Sequence, residues 1–322
     1  MAQQRSIGHY MKEPSISISN SFDLSKITKK DLWGGGFILH NALSEEECKY
    51  FIEEAEKIGW ESLHWQRGEK NDFRINDRIM VMSEDIARFA WERVENFLND
   101  NGLDITTTVK PGDGLYKIGS PSGVWKPIGL NPKFRMCKYY KGGLFKKHYD
   151  GSYVQSSTKR SLYTFMFYLN QDYTGGATNF LDDQSLKSIS SVLHFKDTNT
   201  GTGNDLELND DDDSLKAVDL QSLKVIDVVG PLKTGNLVVF PQDLFHEGSP
   251  VLDGIKYIMR TDVMFEKIAD INTDQPVDPE AEAERLLVMA EELERSGSTD
   301  ESIKMYKKAF SLSKNLASKY GF

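Results

Sequence analysis

Lys133-Phe134-Arg135-Met136-Cys137-Lys138-Tyr139-Tyr140, Lys141-Gly142-Gly143 and Leu144-Phe145-Lys146-Lys147-His148-Tyr149-Asp150 read as a strand, a turn and a second strand. The first run is rich in aromatic and apolar residues, and the glycine pair supplies the turn. Strand side chains alternate with a period of 2, so His148 and Asp150 are expected on one face, with Phe145 and Tyr149 on the other. Downstream, Ser161-Leu162-Tyr163-Thr164-Phe165-Met166-Phe167-Tyr168-Leu169-Asn170 is nearly continuous in apolar and aromatic residues, which suits a buried strand better than a surface helix. Gly175-Gly176-Ala177-Thr178-Asn179-Phe180 turns into a further strand, and 225–229, 235–241 and 256–265 complete the set. Short strands punctuated by glycine and proline predict a mostly β core of jelly-roll or sandwich type.

His246 lies far along the chain from His148-Tyr149-Asp150 and is followed by Lys256 and Arg260. Two histidines and one carboxylate occupy one face of an octahedral site and leave three positions open, the arrangement of non-haem Fe(II) oxygenases. A His-x-Asp pair taken alone is a weak signal, because surface pairs produce it often. Lys256, Ile258 and Arg260 share one strand face, and Asp262 continues it. The two cations therefore either pair with acidic neighbours at an exposed edge or face the barrel interior. An interior cation needs an anion, since desolvating it takes several kcal/mol.

Many ordered pieces between about 130 and 268 resemble the prolyl 4-hydroxylase branch of the 2-oxoglutarate and Fe(II)-dependent dioxygenases. They are Tyr140, Gly142-Gly143, Phe145, His148-x-Asp150, Phe167-Tyr168-Leu169-Asn170, Gly175-Gly176-Ala177-Thr178-x-Phe180, Pro231-x-Lys233-x-Gly235, Phe240-Pro241, His246-Glu247-Gly248-x-Pro250 and Gly254-x-Lys256-Tyr257. The resemblance implies a double-stranded β-helix with Fe(II) held by His148, Asp150 and His246. It places Lys256, ten residues after His246, at the basic position that binds the C5 carboxylate of 2-oxoglutarate. Other branches use an arginine later on this strand, where Arg260 would serve. Tyr168 matches a tyrosine that hydrogen-bonds the same carboxylate, and Tyr140 one near the metal; core packing is the ordinary alternative for both. The implied reaction consumes 2-oxoglutarate and O2, releases succinate and CO2, and hydroxylates an unactivated C–H bond, with ascorbate as the reductant that restores oxidised iron.

The rest of the chain sets the context. Its 322 residues allow one substantial domain with an appendage, and a net charge of −10 argues against general binding to nucleic acid or anionic membranes. The two cysteines, Cys48 and Cys137, sit in apolar patterns and read as buried thiols, although one disulfide is arithmetically allowed. The opening residues lack the apolar core of a signal peptide and no run approaches a membrane span, so a cytoplasmic or nuclear setting is expected.

Residues 1–30, polar and serine-rich, are expected to form a mobile tail, and 31–268 the oxygenase domain. Ser44-Glu45-Glu46-Glu47 begins one helix as a capping box, and Ser83 begins a second. Between them, Phe73-Arg74-Ile75-Asn76-Asp77-Arg78 reads either as lining of a substrate mouth or as surface salt bridging. An insertion at 184–224 carries Asp210-Asp211-Asp212-Asp213 but lacks the spaced ligands and glycine of a calcium loop, so it reads as a solvated loop. His194, before that run, reads as strand packing. Residues 269–322 are expected to be helical. The pair at about 280–313 resembles one tetratricopeptide repeat with Ser302 in place of the usual alanine. A single repeat cannot bury its own face, so it must dock, pair with another chain or receive a protein partner.

The expected architecture is therefore an α+β jelly roll plus a C-terminal helical hairpin. The expected activity acts on a protein, peptide or small-molecule substrate. The reading from a different class is a catalytically inactive oxygenase-fold interaction module that works through the tail and acidic loop. A zinc hydrolase is remote, since nothing supplies its general base as clearly as the cations supply a carboxylate clamp.

Overall fold

The computed structural model describes residues 9–19, 22–63, 65–66, 69–70, 72–114, 120–183, 195–197, 206–208, 223–271 and 278–321. The chain forms two compact units. One comprises Met1–Leu103, Leu130–Asp150 and Tyr163–Asp262; the other comprises Asp104–Gly129, Gly151–Leu162 and Val263–Phe322.

The first unit is a mostly β core with flanking helices, the jelly-roll architecture. Its larger sheet runs in the order Thr28–Asp31, Phe37–His40, Leu237–Pro241, Lys159–Tyr168, Lys256–Ala269, Lys133–Tyr139, Asp77–Met82, Glu61–Ser62. The smaller sheet runs Val225–Val229, Thr178–Leu181, His246–Gly248, Leu144–His148, Arg74–Ile75. Side chains from both sheets, among them Ile38, Met166, Val238, Phe240 and Ile258 from the larger and Phe180 and Val229 from the smaller, form one apolar core. All the pairings recorded between these strands are antiparallel, and such sheets need one buried face each.

The two sequence-predicted helices are Glu45–Ile58 and Glu84–Asp100. The capping box at the first is complete: Ser44 Oγ accepts from the Glu47 N–H at 3.1 Å, and Glu47 Oε2 accepts from the Ser44 N–H at 2.8 Å. Glu47 also receives both terminal nitrogens of Arg93 on the second helix, at 2.7 and 2.8 Å, so one carboxylate fastens a helix start and a helix pair. The expected apolar stripes at Cys48, Phe51 and Ala55, and at Ile86, Ala90, Val94, Phe97 and Leu98, are buried. Both cysteines are free and buried.

The chain from His9 onward is docked rather than tail-like. The His9 N–H donates to the Met80 carbonyl at 2.8 Å, its carbonyl accepts from the Met82 N–H at 2.7 Å, and Met11 is buried. Apolar Met11 and the edge that Met80–Met82 present beyond the Asp77 and Arg78 pairing with Glu61–Ser62 account for this, because backbone groups at a sheet edge need partners. The acidic run at 210–213 and His194 lie outside the described residues. Within the insertion, the described segments Phe195–Asp197 and Leu206–Leu208 pair with each other.

In the second unit, Asp278 caps the helix Pro279–Ser296 by accepting from the Glu280 N–H at 3.1 Å, and Gly297 ends it in the left-handed conformation at φ 88°. The helices Thr299–Leu312 and Lys314–Lys319 follow. Met289 and Leu293 pack on Val154, and Arg160 Nη2 lies 3.5 Å from Glu292 Oε2 with both side chains buried. This unit takes in 104–129 and 151–162, so it does not follow the expected boundary at residue 268. The helical pair needs an apolar surface, and the hairpin at 151–162 supplies one. No described helix is long and apolar enough to cross a membrane.

Candidate metal centre

The register of the smaller sheet assembles the site. His148 and His246 are direct partners on antiparallel strands, with ring centroids 4.3 Å apart. Asp150 follows the end of its strand, and its backbone N–H donates to the Gln242 carbonyl at 3.2 Å. The three side chains are 1%, 1% and 6% exposed for His148, Asp150 and His246, and one donor atom from each lies within 4.8 Å of the others.

Each histidine is oriented by main chain. The Nδ1–H of His148 donates to the Lys146 carbonyl at 2.6 Å, and that of His246 donates to the Leu244 carbonyl at 2.8 Å. A carbonyl accepts only, so both rings carry the proton on Nδ1 and present the Nε2 lone pair inward. His148 Nε2 is buried and makes no hydrogen bond among the described residues. The two Nε2 atoms lie 3.5 and 3.7 Å from the Asp150 carboxylate oxygens. Burial, then His148, pushes His246 down to about 4, which keeps it in the neutral, ligating form. Burial pushes Asp150 up, but Arg260, His246 and His148 outweigh it and hold the carboxyl well below the usual range. Two imidazoles turned Nε2-inward by their Nδ1 bonds, together with one carboxylate, fit a divalent metal.

The cavity around this trio is lined by both expected cations. Lys256 lies opposite Tyr139 in the sheet register, and its Nζ donates to the Gly176 carbonyl at 2.7 Å. Burial pushes it down to about 8. Its Nζ is 4.8 Å from the centre of the Tyr168 ring, and the Tyr168 hydroxyl pairs with Thr178 Oγ1 at 3.0 Å. Gly176 has φ +65°, and a Cβ there would stand 3.2 Å from Lys256 Cδ, which explains the glycine at this point of the turn. Arg260 is placed differently: its Nη2 is 2.6 Å from Asp150 Oδ1. The exposed-edge reading of the two cations is thus overturned, since both are buried.

Two further expectations need correction. Tyr140 is 43% exposed and does not line the cavity; Tyr139 does. The alternation Arg135, Cys137, Tyr139 points these side chains inward and leaves Tyr140 past the strand end. Phe145 does not face away from His148 but stacks on it at 3.6 Å. Between Phe145 and His148 the strand bulges, three steps facing two on the partner, and the extra residue breaks the period of 2. Arg74 lies 3.6 Å over the other partner of this stack, the Phe145 ring, and lines the cavity.

Residues 134–261 match the family described as the 2OG-Fe(II) oxygenase superfamily. These residues form a 2OG-Fe(II) oxygenase domain. The trio of this oxygenase domain, His148, Asp150 and His246, fits an iron site. Among solved structures, a viral collagen prolyl hydroxylase from Paramecium bursaria Chlorella virus-1 in its 2OG complex is 17% identical with a TM-score of 0.37, covering 72% of this chain and 96% of its own. A Pseudomonas putida prolyl-4-hydroxylase is 12% identical with a TM-score of 0.37, covering 73% and 94%. An oxidoreductase of the 2OG-Fe(II) oxygenase family from Burkholderia pseudomallei is 11% identical with a TM-score of 0.40, covering 83% and 99%. No curated protein matches the chain.

Proposed function

We propose that this protein is an Fe(II)- and 2-oxoglutarate-dependent dioxygenase that hydroxylates an unactivated C–H bond, of prolyl 4-hydroxylase-like type. The observation that carries the reading is the inward convergence of two imidazole Nε2 atoms and one carboxylate, beside a buried ammonium whose hydrogen bond among the described residues goes to a carbonyl, that of Gly176, and not to a carboxylate. His148, Asp150 and His246 would hold iron, and Lys256 would receive the C5 carboxylate of 2-oxoglutarate. Tyr168 and Thr178 stand beside that ammonium as further hydrogen-bonding groups. When bound, iron and the oxo-acid supply the oxidising chemistry: 2-oxoglutarate, O2 and R–H become succinate, CO2 and R–OH.

The chain's own residues would bind, orient and dry the site. Lys256 fixes one end of the co-substrate by a charge-assisted bond. Met166, Phe240 and Ile258 line the same cavity and exclude water from it. Ascorbate would serve as reductant from solution. A protein or peptide substrate, a small molecule and a protein partner for the C-terminal helices all belong to this proposal. An inactive interaction module would have no use for two histidines locked in the ligating tautomer.

The test is an anaerobic titration of metal-free protein with Fe(II) and 2-oxoglutarate, followed by the visible charge-transfer absorption of the chelate. A band that needs both additions and is lost in His148→Ala supports the site. Its absence from folded wild-type protein refutes the proposal.

A further inference from the structure

Arg260 on Lys256–Ala269 stands directly opposite Arg135 on Lys133–Tyr139, and both line the cavity wall with only 6% of their surface exposed. Like charges opposed across a sheet repel, and guanidinium groups out of water need counter-charges. For Arg135 the carboxylate is Asp262, at 3.4 Å, which also accepts from Gln242 Nε2 and Asn131 Nδ2 at 3.2 Å each. For Arg260 the carboxylate is Asp150. The other oxygen of Asp150 accepts from Thr164 Oγ1. Asp150 therefore belongs to two arrangements at once, the metal-ligating trio and the charge balance of an arginine pair.

We infer that Arg260 is a positioning residue for Asp150 rather than an anchor for the co-substrate, and that Asp150 is the counter-ion which lets two arginines face each other in the wall. The inference rests on the metal-site reading above. Arg260 and Thr164 grip the carboxylate from two sides, so it meets a metal in one orientation. Charge alone would have the reverse effect, because a guanidinium beside a ligand repels a divalent cation. Removing the guanidinium tightens metal binding if only charge matters and loosens it if orientation matters.

The experiment uses metal-free full-length protein in wild-type, Arg260→Gln, Arg260→Lys, Asp150→Asn and doubly substituted Asp150→Asn, Arg260→Gln forms. Mn(II) binding is read by the EPR signal of the free ion. We expect Arg260→Gln to weaken Mn(II) binding about tenfold or more, the range for residues that orient a ligand, and Arg260→Lys to recover part of it. Equal or tighter binding by folded Arg260→Gln overturns the positioning role. Melting of the same metal-free proteins reads the counter-ion role. Asp150→Asn should lower Tm by roughly 5 °C or more, and the double variant should regain most of that loss. Losses that simply add overturn it. Wild-type protein that binds no Mn(II) overturns the metal site and the positioning role together; wild-type binding left unchanged by Arg260→Gln overturns the positioning role alone.

Discussion

Replacing Lys256 by methionine keeps most of the length of the side chain and removes its charge. Burial pushes the Lys256 ammonium from 10.5 down to about 8, a difference worth about 3 kcal/mol of lost solvation. A carboxylate delivered to that ammonium by 2-oxoglutarate would restore the charged form. Restoring it to its ordinary range couples proton and co-substrate binding by up to about 300-fold. The sign follows from the direction of the shift. Below about pH 8 the ammonium is already present and co-substrate affinity is flat; above it, binding must take up a proton, and the apparent Kd climbs roughly tenfold per pH unit. The same depression means that the folded, ligand-free protein holds fewer protons than the unfolded chain between about 8 and 10.5, so its own stability rises over that window. Anaerobic titration of the Fe(II) protein with 2-oxoglutarate measures the effect. At pH 7 Lys256→Met should raise Kd by about two orders of magnitude and lose the alkaline rise, while Arg260→Gln should stay within a few-fold. A Lys256→Met protein that binds within threefold of wild type, or a wild-type Kd that is level from pH 7 to 10, would refute the reasoning.

His148→Ala, His246→Ala and Asp150→Ala should each abolish Fe(II)-dependent oxidation of 2-oxoglutarate, with Asp150→Ala open to rescue by an added anion; wild-type turnover in any of them would remove the metal assignment. Burial pushes Glu292 up to about 7 against the pull of Arg160, so its folded form binds more protons than the unfolded chain between about 4.5 and 7. Stability should therefore fall as pH rises through 7, by about 3 kcal/mol at most, and a pH–Tm curve for Glu292→Gln that keeps the same decline would contradict this. Deleting residues 275–322 takes away the side chains of Met289, Leu293 and Glu292 that meet Val154 and Arg160. Breaking such a buried ion pair costs about 3–5 kcal/mol, so Tm should drop with Mn(II) binding retained; an unchanged Tm would mean that these contacts contribute nothing.

Much of the centre was legible from local rules. His148, Asp150 and His246, and the shared face of Lys256, Ile258 and Arg260, follow from strand alternation and ordered spacing, and all line one cavity. Alternation also held the clue to Tyr139, since counting forward by two from Lys133 through Arg135 and Cys137 reaches residue 139, not 140. Phe145 was misplaced because a bulge is a property of two paired strands, and neither strand alone reveals the extra residue. The division of roles between Lys256 and Arg260 was hidden for a similar reason. Asp150 reaches Arg260 only after the chain has closed on itself, over a separation that no pattern spans. Docking of the chain from His9 was missed because an edge strand recruits whatever backbone lies near, and polar composition is a poor guide to backbone pairing.

The bonds that lock the two histidines have a consequence for how such a centre persists through descent. In both, the acceptor is the carbonyl two residues earlier in the chain, Lys146 for His148 and Leu244 for His246. Carbonyl oxygens are identical in every residue, so mutation of the Lys146 or Leu244 side chain leaves the acceptor in place. No companion residue has to be inherited with the ligand. The orientation of each imidazole is thus carried by chain path rather than by residue identity, and a lineage can rewrite nearly everything around His148 and His246 without turning their lone pairs away.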